Sequence, residues 1–276
     1  LEAEPQATIV AGSTDVGLWV TKFLRDIAPV VFIGGIEELR SISTVNGAIR
    51  IGAGVSYSDA FAVLSEKIPA LGSLIERIGG DQVRNMGTIG GNVANGSPIG
   101  DTPPPLIALG ATLTLRKGHN RRSLPLEDFF IAYGKQDRAP GEFVEAIEVP
   151  LPAAGAHFAA YKVTKRRDED ITATLGAFHV LVGADGNVQS ARIAYGGMAA
   201  TPKRAPTVEA VLIGKPWSMQ TVEAALPAYE ADYKPISDMR ASAEYRMLAA
   251  KNLLKRFYLE TTGTKKPITI RRYEEA

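Results

Sequence analysis

The chain contains no cysteine. That excludes disulfides, and it excludes thiolate ligands for zinc or iron–sulfur clusters within this chain. Histidine is scarce as well. His119, His157 and His179 are scattered, and no two of them have a ligand-like spacing. No catalytic metal site is expected, so redox chemistry would have to come from an organic cofactor or a partner chain. An excess of one charge is missing too. With 31 basic and 30 acidic residues, the chain has no field to gather nucleic acid or an anionic membrane surface. No apolar run reaches the roughly 18 residues of a membrane-spanning helix. The start, Leu1-Glu2-Ala3-Glu4-Pro5, lacks an initiator methionine and any signal-peptide pattern. It reads as cut from a longer chain, and a cytoplasmic location is expected.

What is present suits a globular protein. The length of 276 residues allows one large or two modest domains with a substantial core. Residues 7–11 read as a buried strand, residues 18–27 as a helix through the spacing of Leu18, Phe23, Leu24 and Ile27, and residues 30–33 as a second strand. Pro29 separates the last two, which makes a βαβ-like opening. A strand follows over residues 48–53. Ser58-Asp59 can cap a helix that runs to Ile68 and closes at Pro69, and residues 71–78 read as another helix. Then Gly79, Gly80, Gly87, Gly90, Gly91, Gly96 and Gly100 crowd into one stretch. Such density argues against a regular helix or central strand and predicts a long loop or a linker. Beyond the three prolines at 103–105 come a short apolar helix to Leu109, a strand at 111–116, a helix at 126–133 and a strand at 143–149.

Pro150-Leu151-Pro152-Ala153-Ala154-Gly155 marks a domain boundary. Three strands follow at 159–164, 172–182 and 189–196, the last two joined by the turn Gly183-Ala184-Asp185-Gly186-Asn187. Helices at 207–213, 219–229 and 241–260 complete the chain. The last carries Tyr245, Leu248, Ala249, Leu253 and Phe257 on one side. The expected class is α+β, with a first domain at 1–152, a second at 153–262 and a charged tail at 263–276, frayed or bound to a partner.

Two segments carry chemistry. In Ala11-Gly12-Ser13-Thr14-Asp15-Val16-Gly17 a strand runs through a glycine loop into a helix, which aims main-chain N–H groups and the helix dipole at one point. Ser13 and Thr14 add hydroxyl donors or cap the helix. The segment is neither the G-x-G-x-x-G fingerprint nor a P-loop, and alone it reads equally well as a capped turn. The second segment, Thr88-Ile89-Gly90-Gly91-Asn92, again clusters donors and open main chain. Its apolar insertions Ile89, Val93 and Ile99 argue against a flexible linker. Asp101 suits the hydroxyls of a ribose or ribityl chain, or else caps the next helix. Two such segments far apart in sequence suggest one long anionic ligand lying across the chain.

These residues resemble a known family. Val10-Ala11-Gly12-Ser13-Thr14-Asp15-Val16-Gly17 is similar to the first FAD loop of the molybdenum hydroxylase flavoprotein domains. Thr88-Ile89-Gly90-Gly91-Asn92-Val93-Ala94-Asn95-Gly96-Ser97-Pro98-Ile99-Gly100-Asp101 resembles the second, and its Ser-Pro-Ile-Gly-Asp ending looks like the xanthine dehydrogenase branch. Weaker matches are Asp128-Phe129-Phe130, Glu142-Phe143-Val144, Tyr161-Lys162-Val163-Thr164-Lys165-Arg166-Arg167 and Tyr195-Gly196-Gly197-Met198. In order they cover roughly residues 7–262.

The resemblance implies a two-part FAD-binding domain of the vanillyl-alcohol-oxidase and molybdenum-hydroxylase type, then a small antiparallel sheet packed on helices. It implies FAD as cofactor and NAD as acceptor. It also implies a molybdopterin-binding large subunit that oxidises a purine, and [2Fe-2S] clusters on another domain or subunit, in a hetero-oligomer. Carried over by position, FAD contacts fall on Ile9, Val10, Ala11, Gly12, Ser13, Thr14, Asp15 and Val16, on Thr88, Ile89, Gly90, Gly91 and Asn92, and on Asp101, Val144 and Lys162. Ile78 stands where the family has an aromatic residue near the flavin, which puts a stacking role in doubt. Lys162 could stabilise reduced, anionic flavin, or be an ordinary lysine at a strand end. Tyr133, Asp170 and Gly197 fall on the NAD side. The charged segment at 166–171 matches a loop governing NAD access, or is a solvated turn. Carbon monoxide- and nicotinate-type relatives, a self-contained flavin enzyme and a non-catalytic nucleotide-binding scaffold are the competing readings.

Overall fold

The computed structural model describes residues 1–263, so all but the first residue of the expected tail lies outside the described residues. The βαβ opening is present. The strand Thr8–Val10 pairs in parallel with Val30–Phe32, and the helix Val16–Thr21 lies in the connection between them. That helix is shorter than the spacing predicts, and the chain turns away at Leu24, with φ at 52°. The apolar residues that suggested a longer helix reach no core: Phe23 is 63% and Leu24 86% exposed. A helix gains most of its stability from a packed face, and this one buries no residue.

A five-stranded antiparallel sheet follows, in the order Ile42–Val45, Ala48–Gly52, Phe143–Pro150, Thr112–Lys117, Asn120–Pro125. Both edge strands escape the sequence reading: Ile42–Val45 is short and mostly exposed, and Asn120–Pro125 is polar and exposed. The first was legible in the Asn46-Gly47 turn, whose two positive φ values, 51° and 75°, fit a tight hairpin. The helices Tyr57–Lys67, Pro69–Ile75 and Pro103–Leu109 share one core with this sheet, where Ile49, Ile51, Leu113 and Ile147 meet Leu64, Leu71 and Ile107. Ser56, not Ser58-Asp59, caps the first of these helices: its hydroxyl accepts from the Asp59 N–H at 3.0 Å.

The glycine-dense stretch is not one long loop. It holds two short helices, Asp81–Met86 and Ile89–Asn95. Gly90 lies inside the second because a Cβ there would sit 2.4 Å from the Ala53 Cα. The glycine serves close approach rather than looseness. The helix expected at 126–133 is a single 3-10 turn, Leu126–Phe129, followed by a small hairpin of Phe130–Ala132 with Lys135–Gln136. Phe130 is buried while Ile131, Ala132 and Tyr133 are exposed, so a longer helix here would have had no apolar face to bury.

The C-terminal sheet is antiparallel: Ala156–Val163, Thr174–Val182, Val188–Gly196 and the short Lys203–Arg204, one strand more than expected. Helices Pro206–Leu212, Met219–Ala225 and Ala243–Thr261 pack against it. Their shared core is rich in aromatics, with Phe178 stacked on Phe257 and Tyr195 edge-on to Tyr229. The long helix buries Arg246, Ala250, Leu253, Leu254 and Phe257, whereas Tyr245 and Leu248 face outward. The buried face is turned relative to the apolar pattern because Arg246 takes a core position. Its guanidinium donates to the carbonyls of Ala173 and Gly197 and to Asp238. The architecture is the expected α+β one.

Candidate functional site

The two glycine segments meet. A Cβ on Gly12 would lie 1.5 Å from the Met86 carbonyl oxygen, and one on Gly87 would lie 3.3 Å from the Thr14 hydroxyl. Between them opens a cavity of about 430 Å³. Ile9 and residues 11–16 line one side, and Thr88, Gly90, Gly91 and Asn92 line the other. Ile78 and Val144 supply apolar wall. A second cavity of about 590 Å³ continues past Asp15, Val83, Asn92 and Asn95, which line both. It holds Asp101, Lys162 and Asp170. The expected shared cleft is therefore there, and it is long.

Among the described residues, no acceptor bonds the main-chain N–H of Gly12, Ser13, Thr14 or Asp15. Ser13 holds a positive φ of 52°, uncommon for a residue with a side chain, and this keeps the loop open. Asp15 is the N-cap of its helix but its side chain makes no capping bond. Thr88 behaves differently. Its hydroxyl accepts from the Gly91 N–H at 2.9 Å and caps the second helix.

The second cavity is built from side chains. Lys162 Nζ donates to Asp101 Oδ2 at 2.7 Å and to the Arg77 carbonyl at 2.9 Å. Thr172 donates to the other Asp101 oxygen. Asp101 is thus a hub between three segments and not a helix cap. Lys162 is no ordinary strand-end lysine either, since its side chain is 2% exposed. Arg77 returns the bond, donating to the Lys162 carbonyl at 2.7 Å. Burial, then the nearby Arg167, lower the Arg77 pKa. The charged segment folds back on itself as an ordered turn. Asp170 accepts from the Arg166 N–H at 2.8 Å, and that bond leads the causes that lower its pKa. Glu169 lays its carboxylate against Gly80.

Four expected contacts lie outside the cleft lining. Val10 is in the core, and its carbonyl accepts from Ile33. Ile89 is buried among the core residues. Tyr133 is 75% exposed beside its hairpin. Gly197 donates to the Pro98 carbonyl and accepts from Arg246. The sequence reading also missed Tyr57. It lines the first cavity, buried, and its hydroxyl has no hydrogen bond of ordinary geometry. Burial pushes its pKa up, and the charge of Asp101 pushes it further. Its signal was faint: a tyrosine just after a helix-capping serine.

The open amides and the glycine surfaces fit a long anionic dinucleotide. No cluster of metal-ligating side chains exists among the described residues. No described helix is long and apolar enough to cross a membrane.

Comparison with known proteins agrees with this geometry. The family described as "FAD binding domain in molybdopterin dehydrogenase" matches residues 1–152. The family "CO dehydrogenase flavoprotein C-terminal domain" matches residues 159–261. A putative xanthine dehydrogenase FAD-binding subunit of Escherichia coli is 30% identical, over 95% of this chain and 91% of its own. The nicotinate hydroxylase of Emericella nidulans is 32% identical over 92% of this chain, which spans only 20% of that protein's length. The solved carbon monoxide dehydrogenase of Hydrogenophaga pseudoflava superposes with a TM-score of 0.85 at 30% identity, covering 91% of this chain and 88% of that one.

Proposed function

This chain belongs to the FAD-binding family of the molybdopterin dehydrogenases, and from that premise we propose that it is the electron-transfer module of a xanthine dehydrogenase-like molybdenum hydroxylase. In this reading a molybdopterin subunit oxidises the purine, and [2Fe-2S] clusters on another domain or subunit pass electrons here for the reduction of NAD. Bound FAD supplies the exchange between one-electron donors and a two-electron acceptor. The chain's own residues bind, orient and charge the cleft. The open amides of Gly12 to Asp15 hold the diphosphate. Ile78 and Val144 cover apolar surface. Lys162 Nζ, with two of its donors on Asp101 and the Arg77 carbonyl, has a third left to offer a flavin at the second cavity. Asp170 and its turn stand at that cavity on the acceptor side. Tyr133 and Gly197 do not line either cavity and have no part in this proposal.

The observation that carries the reading is the single cleft formed by both glycine segments with unpaired amides along it. The test is to extract the cofactor from the purified full chain and to measure NADH oxidation with a dye acceptor. FAD at one per chain with NADH-to-dye turnover is expected. A chain without flavin would end the reading.

A second reading is a flavin subunit of the carbon monoxide or nicotinate type. It is supported by the match of residues 159–261 and by the superposition on carbon monoxide dehydrogenase. Bound FAD without NADH oxidation would favour it. Turnover of an organic donor by the chain alone would point instead to a self-contained flavin oxidoreductase.

A further inference from the structure

Asn92 stands where the two cavities join, a place it shares with Asp15, Val83 and Asn95 alone among the described residues. Its side-chain oxygen is occupied. It accepts from the Thr102 hydroxyl at 2.6 Å and from the Thr102 main-chain N–H at 3.2 Å. A main-chain N–H can only donate, so the amide atom facing Thr102 must be the oxygen. The NH2 group then faces the other way, and it has no acceptor among the described residues. Thr102 itself is 2% exposed, so it does not meet a ligand directly. The open amides of Gly12 to Asp15 stand across the same cavity.

We propose that Thr102 is a positioning residue: it locks the Asn92 amide so that only N–H donors face the cleft, and Asn92 Nδ2 donates to a diphosphate oxygen of the bound dinucleotide. This rests on the reading of the cleft as a dinucleotide site. A carboxamide free to flip would present its oxygen half the time and repel the anion. A pinned one presents a donor always, before the ligand arrives.

The test uses the full chain stripped of cofactor, with FAD and ADP as probes and binding followed by fluorescence quenching and calorimetry. Asn92→Asp keeps the acceptor for Thr102 but turns an oxygen toward the anion. It should weaken both probes by about a hundredfold, well beyond the roughly tenfold loss expected for Asn92→Ala. Thr102→Val keeps the main-chain bond and frees the amide to turn at most half the time, so it should cost about twofold, and Thr102→Ser should match the parent. Melting of each stripped variant, measured apart from binding, separates weaker folding from weaker contact. Equal losses for Asn92→Asp and Asn92→Ala would overturn the proposal, and so would a Thr102→Val protein that binds like the parent or a Thr102→Ser protein that does not recover. If the parent chain itself binds neither probe, the failure belongs to the dinucleotide reading instead.

Discussion

The two cavities of the cleft are made in different ways. The first rests on main chain, two short runs of sequence whose amides and bare Cα atoms face each other, with side chains such as Tyr57, Ile78 and Val144 completing the wall. The second is side chain, drawn from groups that lie 61, 71 and 85 residues apart and are tied together by bonds. A main-chain wall is intolerant of added volume but indifferent to most charge changes. A side-chain wall is the reverse. Lys162 and Asp101 satisfy one another, so each depends on its partner.

The largest effect should come from breaking that pair. Lys162→Met leaves Asp101 mostly buried without its cation, and loss of about 3–5 kcal/mol of stability is expected by chemical denaturation. The double variant Lys162→Met with Asp101→Asn should recover a good part of it, since no unpaired charge remains. If the double variant is as unstable as the single one, the second cavity is not held by this pair.

A smaller loss should come from the first cavity. Gly12→Ala forces a Cβ against the Met86 carbonyl, main chain against main chain, where no rotamer can relieve it. About 1–3 kcal/mol of stability should be lost, along with most FAD binding. Normal FAD affinity in this variant would show that the two segments can part without consequence, contrary to a wall that both must form.

The same contrast explains what the sequence revealed. Gly12, Thr88, Gly90 and Gly91 are legible because local spacing builds their part of the cleft. Tyr57 is not, since nothing near it in sequence says that its ring will line a cavity made by residues thirty positions on. The Asp101–Lys162 pair was legible only as two separate matches to a family, and the bond between them required the fold. Edge strands such as Asn120–Pro125 hide for a related reason: their pairing supplies the order, and their polar side chains supply no pattern. Arg246 misleads most, because one buried charge rotates a helix that apolar periodicity alone would orient otherwise.

Away from the cleft, the outer face of the large sheet offers a further contrast in charge. Glu145 gathers Arg121 and Arg116 at 2.7 and 3.0 Å, and Glu142 takes Arg122 at 2.8 Å. The Arg121 hydrogen bond to Glu145 and the Arg122 bond to Glu142 lead the causes that hold both carboxyls below their ordinary 4.5. A depressed folded-state pKa stabilises above the unfolded value, and the gain is lost as pH falls below about 4.5 through the folded pKa. Thermal melts should therefore fall off on the acid side of that value. Glu145→Gln should flatten the slope and cost about 1 kcal/mol at neutral pH, because the arginines are largely solvated. An unchanged acid slope would mean that these carboxylates titrate alike in both states.

The smallest effect should come from the glycine that the motif includes and the cleft does not. Gly17 follows the anion-binding run directly in sequence, yet it does not line either cavity. It lies within the helix Val16–Thr21, and a Cβ there would meet nothing within 4 Å. Alanine has the higher helix propensity, so Gly17→Ala should raise stability by up to about 1 kcal/mol and leave FAD affinity within about twofold. Loss of FAD on this substitution would mean that the ligand reaches one turn further along the helix than the cavity does. Retention, set beside the loss at Gly12, would locate the main-chain wall between residues 12 and 16 and show that nearness in a motif is not nearness to the ligand.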